Sequence, residues 1–306
     1  MTSAICTLFE GDYHLGLAAL ANSLFRQGYR GVIYAGYRGP LPPWFTGARK
    51  PGNFTEFVPA DGLTLRFIPL TTKIHLTNYK PDFMLEVWEN HCPAAEALFY
   101  FDPDITVKCR WTFFEEWVQA GVALCEDVNS PMPSSHPIRN AWRKYYGKLG
   151  RTLKNNVDIY VNGGFAGTMK AQRKFLEEWG QIQREMSPAA GDLMDWGLRD
   201  RTFEFCFTDQ DALNIALMDT SGPYSLSGKD GMDLERMGYL MSHALGSGKP
   251  WRRNYLWERL SKGFGPGPAD KNFWANSSQP IKITVGALKL LKMLDLKSAA
   301  AIERLF

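Results

Sequence analysis

The sequence predicts an α/β protein built on a central, mostly parallel sheet flanked by helices. Short apolar, β-rich runs ("SAICTLF", "GVIYAGY", "LTLRFIPL", "ALFYFD", "GVALCED") alternate with stretches whose apolar residues recur at helical spacing. The first two runs enclose one such helix, a strand–helix–strand unit of about 35 residues that implies a parallel pair with a right-handed crossover. The chain has 306 residues and is 45% apolar and 13% aromatic, enough for one large α/β domain or two smaller ones.

Each element has its own signal. Ser3–Phe9 is short, apolar and β-rich, hence a buried strand. "EGDYH" interrupts it, and Leu17, Leu20, Ala21, Leu24 and Phe25 then mark a helix closed by Gly28 and Gly31. "GVIYAGY" starts the second strand, and "RGPLPPWFTGARKPGN" is a Pro/Gly-rich loop. Leu63–Leu70 is a third strand, Pro81–Asn90 a helix, and "ALFYFD" a fourth strand. "WTFFEEWV" and "GVALCED" make another helix and strand. Gly163, Gly164 and Gly167 break the pattern before an amphipathic helix from Lys170 to about Met186, with Phe175, Leu176, Trp179 and Ile182 on its apolar face. A further helix starts near Thr208, whose hydroxyl can cap it, with Asp211 placed as in a capping box.

After Trp257 the chain becomes Gly/Pro-rich and ends in a lysine-studded helix. Leu288, Leu291 and Leu294 recur there at helical spacing, and Leu290 and Leu296 widen the stripe. The expected organisation is a body, residues 1–257, followed by a linker and amphipathic tail, residues 258–306. The tail either packs on the body or lies on a membrane face, with Lys289, Lys292 and Lys297 near anionic headgroups.

Composition excludes some functions. A net charge of +3, from 35 basic and 32 acidic residues, is too balanced to argue for a nucleic-acid partner. The five cysteines are scattered without a Cys-x-x-Cys pair, against a disulfide framework or zinc site and for a reducing compartment. The start "MTSA" lacks a signal peptide's basic region, and no run approaches the ~18 apolar residues of a spanning helix. The expectation is a soluble cytoplasmic protein, attached at most to the inner face of a membrane.

The chemistry centres on Asp102 and Asp104, in "LFYFDPDITV". An Asp-x-Asp alone is common by chance, and its plain alternative is a solvated turn. Here it follows the most hydrophobic strand of the chain, and ligands of parallel sheets bind at the carboxyl ends of strands. Residues i and i+2 of extended backbone project to one side, so both carboxylates can reach one object. Two carboxylates held together repel unless a cation lies between them. A hard divalent ion bridging to a diphosphate resolves that repulsion.

Downstream, "SHALGSGKPW" sets His243, Gly246, Lys249, Pro250 and Trp251 within nine residues. That is a candidate metal nitrogen, a backbone open to phosphate, and a cation. The alternative is a core histidine beside a solvent lysine.

His-x-x-Gly-x-x-Lys-Pro-Trp with a strand-end Asp-x-Asp resembles the retaining glycosyltransferases of family 8, which have the GT-A fold. "VNGGFAGTMK" resembles the family's Asn-Ala-Gly segment, with Gly163 in place of alanine. "FTDQDALN" matches its Asp-Gln-Asp-x-x-Asn helix start. "TLFEGDYHLGLAALANSL" resembles its N-terminal strand and helix, with Glu10 where an aspartate is usual. Lys80 stands roughly where the family has a donor-binding arginine, at a different distance from the aspartates. The resemblance covers about residues 3–257.

It implies a GT-A catalytic domain over residues 1–257 that moves a hexose from a nucleotide sugar, commonly UDP-linked, with manganese bound by Asp102, Asp104 and His243. Lys249 and the amides near Gly246 would hold the diphosphate, and Glu10 and Tyr13 the base. Lys80 and Gly163 would also bind the donor, Asn162, Asp209 and Gln210 would line the sugar, and Gln210 would lie near the anomeric carbon. Gln210 is a poor nucleophile, so front-face transfer is expected, with Asp209 the alternative nucleophile. The acceptor would be a glycan or glycolipid. The run from Val128 to Val157 has no carboxylate but holds Arg139, Arg143, Lys144, Lys148, Arg151 and Lys154, which fits an anionic one or a solvated basic face. Two rivals stay open: a nucleotide-sugar-binding protein without turnover, and a sugar nucleotidyltransferase on a related fold. The latter would need a Gly-rich phosphate loop, which "FEGDYHLG" is not.

Overall fold

The structure, a computed structural model, describes residues 1–45, 52–191, 193–194, 202–284 and 286–303. In chain order its strands are β1 (Ser3–Glu10), β2 (Gly31–Arg38), β3 (Thr55–Ala60), β4 (Leu63–Pro69), β5 (Ala97–Phe101), β6 (Ile105–Val107), β7 (Val122–Cys125), β8 (Phe165–Met169), β9 (Tyr224–Ser227) and β10 (Met241–His243). Its helices are α1 (His14–Arg26), α2 (Lys80–Asn90), α3 (Trp111–Trp117), α4 (Pro137–Lys148), α5 (Arg173–Ala190), α6 (Thr208–Asp219), α7 (Tyr255–Lys262), α8 (Pro268–Ala275) and α9 (Gly286–Glu303). The architecture is mixed α/β, with helices flanking a large sheet. Two compact units divide the chain: Met1–Leu8, Pro69–Phe101 and Phe113–Lys229 form the first, and Phe9–Ile68, Asp102–Thr112 and Asp230–Phe306 the second.

In the first unit the strands lie in the order β1-β5-β8-β7-β9. β1 and β5 are parallel, as are β7 and β9, while β8 runs antiparallel to both its neighbours. Every residue of β5 is buried, which its unbroken apolar run requires of a strand covered on both faces. Phe99, Phe101, Phe114, Trp117 and Phe165 pack ring against ring beside it. Phe175, Leu176, Trp179 and Ile182 form the buried face of α5, as the spacing predicts, and α5 packs against α2 and α6.

The start of α6 differs from the expectation. Its N-cap is Phe207, without a side-chain cap, and the Thr208 hydroxyl donates instead to Asn78 Oδ1 at 2.6 Å. Asp211 does reach back, accepting the Phe207 N–H at 2.8 Å.

In the second unit β2, β4 and β3 lie side by side in that order, with β3 antiparallel to β4. Sequence patterning misses β3, because Pro59 interrupts it and its apolar residues do not alternate. β6 and β10 form a separate antiparallel pair beside α1.

The boundary expected at residue 257 falls inside the second unit. Leu296 and Ala299 of α9 are buried in a cluster with Ala19, Tyr255, Phe273 and Trp274. Asp295 accepts the N–H groups of Tyr255 and Leu256, capping α7, and Lys292 donates to the Arg253 carbonyl at 2.6 Å. Of the expected stripe, Leu296 lies in this contact, while Leu288, Leu290, Leu291 and Leu294 are exposed. No helix among the described residues is long and apolar enough to cross a membrane.

Candidate functional site

The second unit gathers the aspartate pair and the histidine motif. Register does this: β6 pairs with β10 so that Ile105 lies opposite His243, which sets the histidine beside Asp104. The Ile105 N–H closes the turn on the Asp102 carbonyl, and the Ala244 N–H donates to the Asp104 carbonyl at 3.2 Å. Helix α1 supports the turn from below. A Cβ on Gly16 would collide with the Pro103 carbonyl oxygen and meet the Trp251 ring at 3.0 Å, so only glycine lets the turn settle there.

Ligand atoms of Asp102, Asp104 and His243 lie within 4.8 Å of one another. His243 Nε2 is 3.3 Å from Asp104 Oδ1 and 3.8 Å from Asp102 Oδ2. Its Nδ1 is buried and makes no hydrogen bond among the described residues. Lys249 donates to the other Asp104 oxygen and, at 2.7 Å, to the Ala244 carbonyl. Burial opposes ionisation of Asp104, but the charge and hydrogen bonds of His243 and Lys249 outweigh it and hold the carboxyl well below the usual range. Burial likewise works against the Lys249 ammonium, and Asp104 more than offsets it. Two carboxylates and one imidazole facing a common point suit a divalent transition metal such as manganese, so these residues fit the ion.

The remaining expected residues of this unit are Glu10, Tyr13 and Gly246. Glu10 ends β1 in an ion pair with Arg38 at 3.0 Å. The Tyr13 ring meets Trp251 edge-on at 5.6 Å, with Lys249 and Arg252 each 5.4 Å from its centroid. Gly246 has φ +75 and no atom within 4 Å of where a Cβ would sit.

The first unit gathers the others. Lys80, at the start of α2 and 2% exposed, donates to the Gly163 carbonyl at 2.9 Å and to Asp209 Oδ2 at 3.0 Å. The Gly163 N–H donates to Gln210 Oε1 at 2.9 Å. A Cβ on Gly163 would lie 2.9 Å from Asp209 Oδ2, so glycine here is what lets the carboxylate reach Lys80. Asn162 donates to Asp127 Oδ2 at 2.6 Å and accepts the Gly164 N–H. Asp211 is buried, and that burial pushes its carboxyl up to about 7 against the hydrogen bond from the Tyr160 hydroxyl.

Three residues of these clusters escape the sequence reasoning. Asp127 lies two residues past the end of β7, a carboxylate near a strand end that could have been flagged on the same ground as Asp102. Asp12 and Arg252 meet across 240 residues, and no local pattern announces that pair. The basic run is also partly consumed. Arg139 is buried on the carbonyls of Met132 and Ile159, and Arg151, beyond the end of α4, pairs with Glu178, Glu185 and Asp219.

This is the fold of known glycosyltransferases, in keeping with the GT-A expectation. The chain is similar to the apo structure of the bifunctional glycosyltransferase WbbM, with a TM-score of 0.55 and 14% identity over 97% of this chain and 52% of that one. It is similar also to the glycosyltransferase GlyE of Streptococcus pneumoniae TIGR4: the apo form gives a TM-score of 0.53 at 16% identity and a second structure 0.50 at 15%. Both comparisons cover 98% of this chain and 64% of GlyE, so the chain spans between half and two thirds of the length of these proteins. No family model and no curated protein matches it.

Proposed function

We propose that the protein is a metal-dependent retaining glycosyltransferase that moves a hexose from a UDP-linked donor to a glycan or glycolipid acceptor. The observation that carries this reading is the convergence of Asp102, Asp104 and His243, with Lys249 on the same carboxylate, in a chain with the fold of glycosyltransferases. Asp102, Asp104 and His243 would hold manganese, which when bound supplies Lewis-acid stabilisation of the diphosphate leaving group. Lys249 adds a fixed cation for the same phosphates.

Asn162, Gly163, Asp209 and Gln210 are the residues for the sugar. Front-face transfer is favoured by their hydrogen bonds. Double displacement needs a carboxylate free to attack. The Gln210 oxygen is taken by the Gly163 N–H, and Asp209 Oδ2 is held by Lys80. Exposed Lys144, Lys148 and Lys154 favour an anionic acceptor.

A screen of UDP-hexoses with manganese, reading UDP release, tests the proposal. One donor is expected to be hydrolysed slowly without acceptor and faster with the right acceptor. A protein that only binds nucleotide sugars would release no UDP from any donor. Pyrophosphate made from UTP would identify a nucleotidyltransferase instead.

A further inference from the structure

The sequence "KPWRR" places two arginines side by side, and they have different surroundings. Arg253 is nearly buried, its side chain 14% exposed, and is paired with Glu258 and Asp270 at 2.7 and 2.6 Å. That is a structural pair. Arg252 is 43% exposed, and its fork lies on Asp12, itself 40% exposed. Arg252 Nε donates to Asp12 Oδ2 at 2.6 Å and a terminal nitrogen donates to Oδ1, while Trp251 Nε1 donates to Oδ2 at 2.9 Å. The pair is two-pointed yet open to solvent, so an incoming anion can reach the same guanidinium.

Arg252 also shares a ring with Lys249. Each cation lies 5.4 Å from the Tyr13 centroid, so the two are separated by at most twice that distance. Asp102 and Asp104 together neutralise one divalent ion, which leaves the charge of a diphosphate to Lys249 and whatever else can reach it. A guanidinium fork accepts carboxylate and phosphate in the same two-point geometry.

We propose that Arg252 is a diphosphate-binding residue of the donor site, and that Asp12 holds its guanidinium in the carboxylate-bound position until phosphate takes it over. The inference rests on the donor reading above. It makes Asp12 a resting-state competitor for the guanidinium, whose loss leaves diphosphate binding intact.

Calorimetric titration with UDP and with uridine, both in the presence of manganese, tests it. Arg252→Ala is expected to weaken UDP binding about 10- to 100-fold, the range for losing hydrogen bonds to a charged group, and to leave uridine binding unchanged. Arg252→Lys keeps the charge without the fork and is expected to fall between. Asp12→Asn is expected to bind UDP at least as tightly as the wild type, because a competing carboxylate is gone. Equal UDP affinity in Arg252→Ala and wild type would overturn the inference. So would an Asp12→Asn defect matching that of Arg252→Ala, since the pair would then be only a clasp between two loops. A wild-type protein that binds no UDP overturns the donor reading itself, and this inference with it.

Discussion

Asp104→Asn is expected to abolish manganese-dependent UDP release and also to destabilise the protein in the absence of metal. The turnover loss should be on the order of 100-fold or more, because losing even an outer-shell partner of a metal ligand costs 10- to 100-fold. The stability loss comes from Lys249. It is 5% exposed and its ammonium sits on Asp104. Removing one partner of a buried pair typically costs about 3–5 kcal/mol, since the other charge is left uncompensated. Asp102→Asn should separate the two effects. Asp102 is the more exposed ligand, its side chain 22% exposed against 5% for Asp104. Its replacement should reduce turnover comparably and move the denaturation midpoint little. Chemical denaturation of both variants, beside UDP-release rates, checks this. Equal stability of Asp104→Asn and wild type would mean that Lys249 does not depend on that carboxylate.

The second large effect is expected at Lys80. Lysine is almost never this deeply buried unless paired, and the partners here are Asp209 and the Gly163 carbonyl. Lys80→Met removes the cation and leaves the Asp209 carboxylate, 4% exposed, without it. We expect a loss of about 3–5 kcal/mol in urea denaturation. Asp209→Asn should be costly by the same logic, and the double variant less costly than the sum of the two, because neither charge is then stranded. Additive losses would show that the two side chains act independently.

The core of the fold was legible because strand signals and helical spacing agree along most of the chain. β5 announces itself by five consecutive apolar residues, and the aspartates after it mark a strand end. The histidine motif was legible as chemistry, but its pairing with Asp104 depends on the β6–β10 register, which strands of three residues do not advertise. On a solvated turn, Asp104→Asn would have little effect on stability. The ion pair with Lys249 reverses that.

The tail shows the limit of periodicity most clearly. The leucine stripe satisfies a helical pattern, yet the buried side of α9 is the one carrying Met293, Leu296 and Ala299, together with Lys292 and Asp295. Ala299 is buried in one cluster with Tyr255 and Trp274, and the polar side chains find backbone partners on and beside α7. Spacing identifies a face. The partner decides which face is used, and that information lies in residues 19 and 255–274, far from the helix itself.

The central claim is that Asp102, Asp104 and His243 form a divalent-metal site that works with a nucleotide diphosphate. Manganese titration followed by electron paramagnetic resonance, with UDP present, tests it most directly on wild-type protein and Asp102→Asn. The account predicts one saturable manganese site in the wild type, tightened by UDP, and at least about 10-fold weaker binding in the variant. Manganese binding that is indifferent to both UDP and the Asp102 substitution would contradict it.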